Sequence, residues 1–213
     1  MLASRGIELP PGDPDDPSDR ETLVGLARRK DDYYLKLLHD RGPRSSPSSV
    51  ALVRALRRQG VATAVVSGSR HCAEVLQAAG LRQLFDVRID GIEAARLSLP
   101  GKPDPATFVE AARRLHVAPA RAVIVEDAVA GVEAGHRGGF ALVVGVDRRG
   151  QRKLLSSAGA TLVVADLGEL QVEPAGPGRA RPVAGRYPLP PASVGTESTR
   201  EFIWSYEGFE PAQ

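Results

Sequence analysis

Beyond residue 60 the chain settles into a rhythm. Short apolar runs alternate with longer stretches whose apolar residues recur every three or four positions. The runs at 61–66, 85–89, 123–126, 140–146 and 161–164 predict strands. The stretches at 72–79, 105–115, 129–137 and 153–158 predict the helices that follow or separate them. Strands alternating with helices of this length predict right-handed βαβ units and a parallel sheet. Upstream, Ser18 and Glu21 have capping-box spacing, which predicts a helix start. Leu23, Leu26, Ala27, Tyr34, Leu37 and Leu38 predict one buried face of that helix, and Gly42-Pro43 its end. The polar RSSPSS stretch leads to a second helix over 50–58.

Residues 171–200 break the rhythm. They are rich in Pro, Gly and Ala with almost no large aliphatic side chains, a composition that predicts an extended, mobile linker. The tail EFIWSYEGFEPAQ then places Phe202, Trp204, Tyr206 and Phe209 within eight residues. Two readings stand for it: a strand that docks back on the core, or the first strand of a further domain.

Composition narrows the class. Over 213 residues the chain is 42% hydrophobic and 25% charged, as ordinary soluble globular proteins are. The net charge is +2 and the basic residues are scattered, so nothing points to nucleic acid. The single Cys72 excludes an internal disulfide and fits a reducing compartment. The N-terminus has no apolar secretion signal, and no apolar run reaches membrane-span length. A soluble, cytoplasmic α/β protein is expected.

Three stretches at strand ends carry candidate chemistry, because ligands of open α/β sheets gather at the carboxyl ends of strands. In AVVSGSR, Ser67, Ser69 and Arg70 stand between a strand and a helix, where hydroxyls, backbone N–H groups and a guanidinium suit a phosphate. The bland alternative is a turn with an N-cap. In GKPDPATF, Lys102 precedes two prolines that stiffen its approach; it is either aimed inward at negative charge or solvated. In RAVIVEDAVAGVEAG, Glu126 and Asp127 end an apolar strand. Adjacent buried acids need a cation, and Mg²⁺ takes one or two carboxylates with water and phosphate oxygens. Otherwise Asp127 caps the next helix and Glu126 is solvated. His71 reads as a helix-start surface residue, and Cys72 as a small buried residue of its helix.

Taken in order, strand-Ser, Lys-Pro-x-Pro and strand-Glu-Asp-x-x-x-Gly resemble motifs two, three and four of the haloacid dehalogenase (HAD) superfamily of phosphotransferases. The resemblance spans about residues 18–167 and is nearest the β-phosphoglucomutase-like branch, through GKPDPATF and VEDAVAGVEAG. LARRKDDYYLKLL is similar to that branch's helical cap, in which the lysine matching Lys30 faces the sugar phosphate. The resemblance implies a HAD-like Rossmannoid fold, a three-layer α/β parallel sheet with a helical-cap remnant. It also implies Mg²⁺ held by Asp127 with Glu126, and Lys102 and Ser67 as catalytic residues, one balancing charge and the other hydrogen-bonding the transferring phosphoryl group. Ser69, Arg70 and Lys30 would hold the substrate's phosphate. The implied substrate is a small-molecule sugar phosphate, and the implied reaction a phosphomutase or phosphatase step.

One part is missing. The family's nucleophile is the first Asp of an Asp-x-Asp pair on its first strand, and no such strand is visible. DPDD at 13–16 lies in a proline-rich loop, and Asp147 follows what matches a later strand. In the family the nucleophile strand lies mid-sheet, between those at 61–66 and 123–126. The expected sheet is therefore incomplete, with those strands paired directly or their inner edges open to association. The expected organisation is a partial helical cap at 1–46, a core lacking its first strand at 47–170, a linker at 171–200, and a docking strand or the start of another domain at 201–213. The isolated chain is expected to be marginally stable or inactive. WSYEGFEP resembles the opening of the maltose- and trehalose-phosphorylase family of glycoside hydrolases, which implies a fused or adjacent disaccharide phosphorylase as partner. The competing expectation is a non-catalytic module that binds sugar phosphate or docks on such a partner.

Overall fold

The computed structural model describes residues 8–43, 45–176, 179–184 and 201–205, the last two stretches and 173–176 as backbone. The helices are α1 (Leu23–Arg41), α2 (Pro47–Arg58), α3 (Cys72–Ala78), α4 (Gly91–Arg96), α5 (Ala106–Arg114), α6 (Val129–Arg137) and α7 (Arg152–Ser157). The strands are β1 (Thr63–Val66), β2 (Val87–Ile89), β3 (Ala122–Glu126), β4 (Leu142–Val146), β5 (Leu162–Val164), β6 (Leu170–Gly176), β7 (Arg179–Ala184) and β8 (Glu201–Ser205). The chain divides into two units at Arg44/Ser45; α1 belongs to the first and every other element to the second.

In the first unit, α1 begins four residues later than the capping-box spacing of Ser18 predicts. Thr22 is the N-cap, its Oγ1 accepting from the Gly25 amide at 3.0 Å. Residues 17–22 instead turn, with the Arg20 amide on the Pro17 carbonyl, and Asp16 accepts from the Thr22 hydroxyl at 2.8 Å. The predicted buried face is only half-formed: Leu26, Tyr34, Leu37 and Leu38 are half-buried, Leu23 and Ala27 are exposed, and Gly25 alone is buried. A helix needs a second layer to cover its apolar stripe, and the described part of this unit contains one helix.

The second unit is a three-layer α/β/α sandwich. Its six-stranded sheet runs β2-β1-β8-β3-β4-β5, and every neighbouring pair is parallel. β1 and β3 are buried at every position, as parallel strands covered on both faces must be. Alternation then divides their side chains. Ala64, Val66, Ala122 and Ile124 join Phe108, Ala111 and Ala112 of α5 and Val132 and Ala134 of α6. Val123 and Val125, with Val144 and Val146, join Leu52, Val53 and Leu56 of α2 on the other side. Val65 packs with Cys72 and Leu76 of α3.

The sheet corrects the expectation of an incomplete core. β1 and β3 neither pair with each other nor present open inner edges, because β8 lies between them, parallel to both. Residues 201–205 pair within this sheet; 206–213 lie outside the described residues. The first part of the stretch that composition assigns to a linker is instead paired strand. β6 and β7 form an antiparallel pair, with Leu170 and Val172 packed against the α2 side of the core. The remainder of that predicted linker, 185–200, is outside the described residues.

Helix α4 was not legible in the apolar pattern. Asp90 caps it, Oδ1 accepting from the Glu93 amide at 2.9 Å. A charge network ties it to α5. Arg96 forks onto Glu93 at 2.8 and 3.0 Å, Arg113 forks onto Glu110 at 2.6 and 2.8 Å, and Arg114 bridges Glu93 and Glu110. Hydrogen bonds from Arg96 and Arg114 hold Glu93 down to about 2, and those from Arg113 and Arg114 do the same for Glu110. Because both folded values lie below the ordinary 4.5, the network's stabilisation is complete above that pH. It is lost as pH falls toward about 2. Arg114→Met is expected to lower the melting temperature by a few degrees at pH 7, and the gap from wild type should close between about pH 4.5 and 2. A pH-independent gap would show that Arg114 acts by packing alone.

Candidate active site

The carboxyl ends of β1 and β3 lie at one edge of the sheet, with β8 between them. Val66 is level with Ser205, and Val125 with Trp204. Two strand spacings separate β1 from β3, about 10 Å. Across that gap stand Ser67 on one side and Glu126 and Asp127 on the other.

The β1 side is a tightly folded loop. The Ser67 amide donates to the Ile89 carbonyl at 2.9 Å, and its Oγ accepts from the Ser69 amide at 3.1 Å. The Ser69 hydroxyl in turn accepts from the His71 amide at 3.1 Å. Ser67 is buried, whereas Ser69 and Arg70 are exposed. The loop rests on the β2–α4 junction, where the Gly91 amide donates to the Ser69 carbonyl at 3.0 Å. A Cβ at Gly91 would stand 2.5 Å from the Gly68 carbonyl oxygen, so only glycine permits this approach. Gly91 was missed by sequence reasoning; its signal was the Asp90–Glu93 cap spacing that starts a helix beneath the loop. Burial, and the Asp90 charge after it, push the nearby Cys72 thiol up to about 12, which removes it as a nucleophile at neutral pH.

On the β3 side the two acids part company. The Glu126 side chain is fully buried, and both its oxygens are engaged. Oε2 receives Lys102 Nζ at 2.9 Å, and Oε1 accepts from the Asp127 and Ala128 amides at 3.1 Å each. Gly131 makes room for it: a Cβ there would lie 2.2 Å from the carboxylate. That is the physical reason for a glycine five residues after this glutamate. The side chain of Lys102, on the loop before α5, is 7% exposed, and its Nζ lies 5.0 Å from the Phe108 ring centroid. Its peptide bond to Pro103 is cis.

Asp127 faces the other way. Its side chain is partly exposed, and Oδ2 lies 3.4 Å from Arg148 Nε, just beyond the end of β4. Arg148 is a second residue that sequence reasoning missed as a participant, although the basic pair after an apolar strand marked the place. Asp147, beside it, spends its carboxylate on the Gln151 amide at 2.6 Å and is a turn cap. Lys30 belongs to the other unit, where its ammonium lies 3.7 Å from Asp31. Among the described residues no three His, Cys, Asp or Glu side chains cluster as a metal cage. A single half-open carboxylate, Asp127, still fits Mg²⁺, which keeps most of its waters and takes further oxygens from a phosphate.

The chemistry available is therefore a buried ammonium locked to a buried carboxylate, with a second carboxylate and a hydroxyl loop around it. Such a pair is costly to break but not to replace. Lys102→Met is expected to destabilise the fold by about 3–5 kcal/mol in urea unfolding, because Glu126 is left charged and unpaired. Adding Glu126→Gln should recover more than half of the loss. Additive losses would show that the two side chains act separately.

Residues 17–139 match the haloacid dehalogenase-like hydrolase family. The chain is 43% identical over 173 residues to a β-phosphoglucomutase of Mycobacterium bovis, covering 80% of this chain and 66% of that protein. It thus spans just under two thirds of that relative's length. It is 41% identical over 172 residues to an uncharacterized glycosyl hydrolase of Mycobacterium tuberculosis, covering 81% of this chain and 13% of that one. A HAD family hydrolase from Deinococcus radiodurans, solved with bound phosphate and sodium, superposes with a TM-score of 0.57 at 25% identity, over 79% of this chain and 81% of that one. With the strand-end serine, the buried lysine and the acidic pair on a parallel α/β sheet, the match places this chain in the haloacid dehalogenase-like hydrolase family.

Proposed function

We propose that this chain carries the phosphate-binding and charge-balancing half of a Mg²⁺-dependent phosphoryl-transfer site for a sugar phosphate, of the phosphomutase or phosphatase kind. The observation that carries this reading is the buried Lys102–Glu126 pair, flanked by Asp127 and facing Ser67 across one intervening strand. Phosphoryl transfer needs positioning and neutralisation of charge on the equatorial oxygens more than it needs bond-making by the protein. Lys102, with its ammonium held by Glu126, balances that charge from one side. Asp127 would hold Mg²⁺ on the other, and the metal would neutralise phosphate oxygens there. Ser67 hydrogen-bonds the transferring group. Ser69 and Arg70, both exposed beside Ser67, take the substrate's other phosphate. Glu126 serves the site through Lys102, since its own oxygens are already occupied.

The position between β1 and β3, where the resemblance puts a nucleophilic aspartate, is held by β8, whose sequence EFIWS contains none. On this reading the 213-residue chain binds without turning over. A second reading, a non-catalytic sugar-phosphate module associated with a disaccharide phosphorylase, draws support from the glycosyl hydrolase relative.

Calorimetric titration of glucose 6-phosphate, with and without Mg²⁺, separates the two. The transfer-site reading predicts binding that Mg²⁺ strengthens and Asp127→Asn makes Mg²⁺-independent. Arg148→Ala, by releasing Asp127 from its ion pair, should tighten Mg²⁺ binding by up to about fivefold, the equivalent of ~1 kcal/mol for a partly exposed pair. Binding that ignores Mg²⁺ in the wild type favours the docking module. Sustained Mg²⁺-dependent phosphate release by the purified chain would contradict the absence of turnover.

A further inference from the structure

The six-stranded sheet is two half-sheets joined by one short strand. β2-β1 forms one half and β3-β4-β5 the other, and the described residues of the two halves share no strand pairing except through β8. β8 arrives from far along the chain. Sixteen residues, 185–200, separate it from β7, and they are rich in Pro and short polar or small side chains. Fully extended they would reach about 55 Å, and as a random chain about 22 Å. The acceptor is complete without covalent help: Thr63–Val66 pairs residue for residue with 202–205 on one side, and Ala122–Val125 with 201–204 on the other.

We propose that residues 201–205 are a separable strand, bound between β1 and β3 as a ligand in its own right, and that this strand sets the width of the phosphate site. With β8 in place, Ser67 and the Glu126–Asp127 corner stand two strand spacings apart, about 10 Å. With β8 out, direct pairing of β1 with β3 would bring those ends to one spacing, about 5 Å, which leaves no room for a phosphoryl group. Strand occupancy and phosphate binding are then linked, and by reciprocity each strengthens the other. The phosphate half of this claim rests on the function proposed above; the separable strand does not.

The test cuts the full chain after it has folded. A site-specific protease sequence is inserted between Val194 and Gly195, the purified protein is cleaved, and the products are run on gel filtration. The C-terminal fragment carries Trp204, the chain's one tryptophan, so its anisotropy reports whether the fragment remains bound. The expected result is co-elution of both fragments with the high anisotropy of the uncut protein. Excess isotopically heavy 195–213 peptide should then replace the fragment in the co-eluting species, read by mass, and millimolar inorganic phosphate with Mg²⁺ should slow that exchange several-fold. Ile203→Pro, which removes a central-strand N–H, should abolish retention of the fragment. A fragment that separates at once while the remainder keeps a cooperative melt would overturn the proposal, as would retention unaffected by Ile203→Pro. If the fragment is retained but phosphate has no effect on its release, the separable strand stands and its link to the site is overturned. Phosphate binding by the uncut chain, measured beside these, reports on the proposed function separately.

Discussion

A buried parallel strand must be paired on both edges, and this constraint organises the protein. β1 and β3 are covered by helices on both faces, so neither can send its backbone N–H and C=O groups to water. Something has to stand between them, and the segment that does comes from beyond the hairpin β6–β7. The same placement fixes the functional edge, because Ser67 extends β1 and the acidic pair closes β3. Sheet pairing, core formation and the width of the candidate site are thus one problem with one solution.

Within that edge the buried ion pair determines what the groups can do. Glu126 continues the side-chain face of Ala122 and Ile124, which looks toward α5 and α6. It therefore points at the loop that carries Lys102 and at the gap that Gly131 leaves. Asp127, one residue on, points toward Arg148 and the open edge. Two adjacent carboxylates so acquire separate partners without mutual repulsion: one neutralises the Lys102 ammonium inside the protein, and the other pairs with Arg148 at the half-open edge. The Phe108 ring below the lysine adds apolar contact and a π face, so the ammonium is held by geometry on two sides.

Much of this was written locally. The alternation of apolar runs with helical spacing anticipated β1 to β5 and the helices α3, α5, α6 and α7, and α6 coincides with the predicted 129–137. The three strand-end motifs named Ser67, Lys102, Glu126 and Asp127 before any geometry. The inward turn of Glu126 onto Lys102 was not read, since Glu126 was left as a metal ligand or a solvated acid, although a period of two from Ile124 puts it on the core face. What was not legible depended on distant partners. The residues EFIWS can dock on any exposed sheet edge, and only the unfilled space between β1 and β3 selects one. β6 and β7 have a composition that favours a linker and are strands because Leu170 and Val172 find the α2 side of the core. α1 began late because Thr22 and Asp16 satisfied each other and left Ser18 in a turn.

The central claim is that the C-terminal strand belongs to the middle of the sheet. Amide hydrogen exchange of the intact chain, read by mass on short peptic fragments, addresses it most directly. The amides of 202–205 are expected to be strongly protected, as those of 63–66 and 122–126 are, because each of the three strands has a neighbour on both edges. Exchange of 202–205 within seconds, while β1 and β3 remain protected, would contradict it.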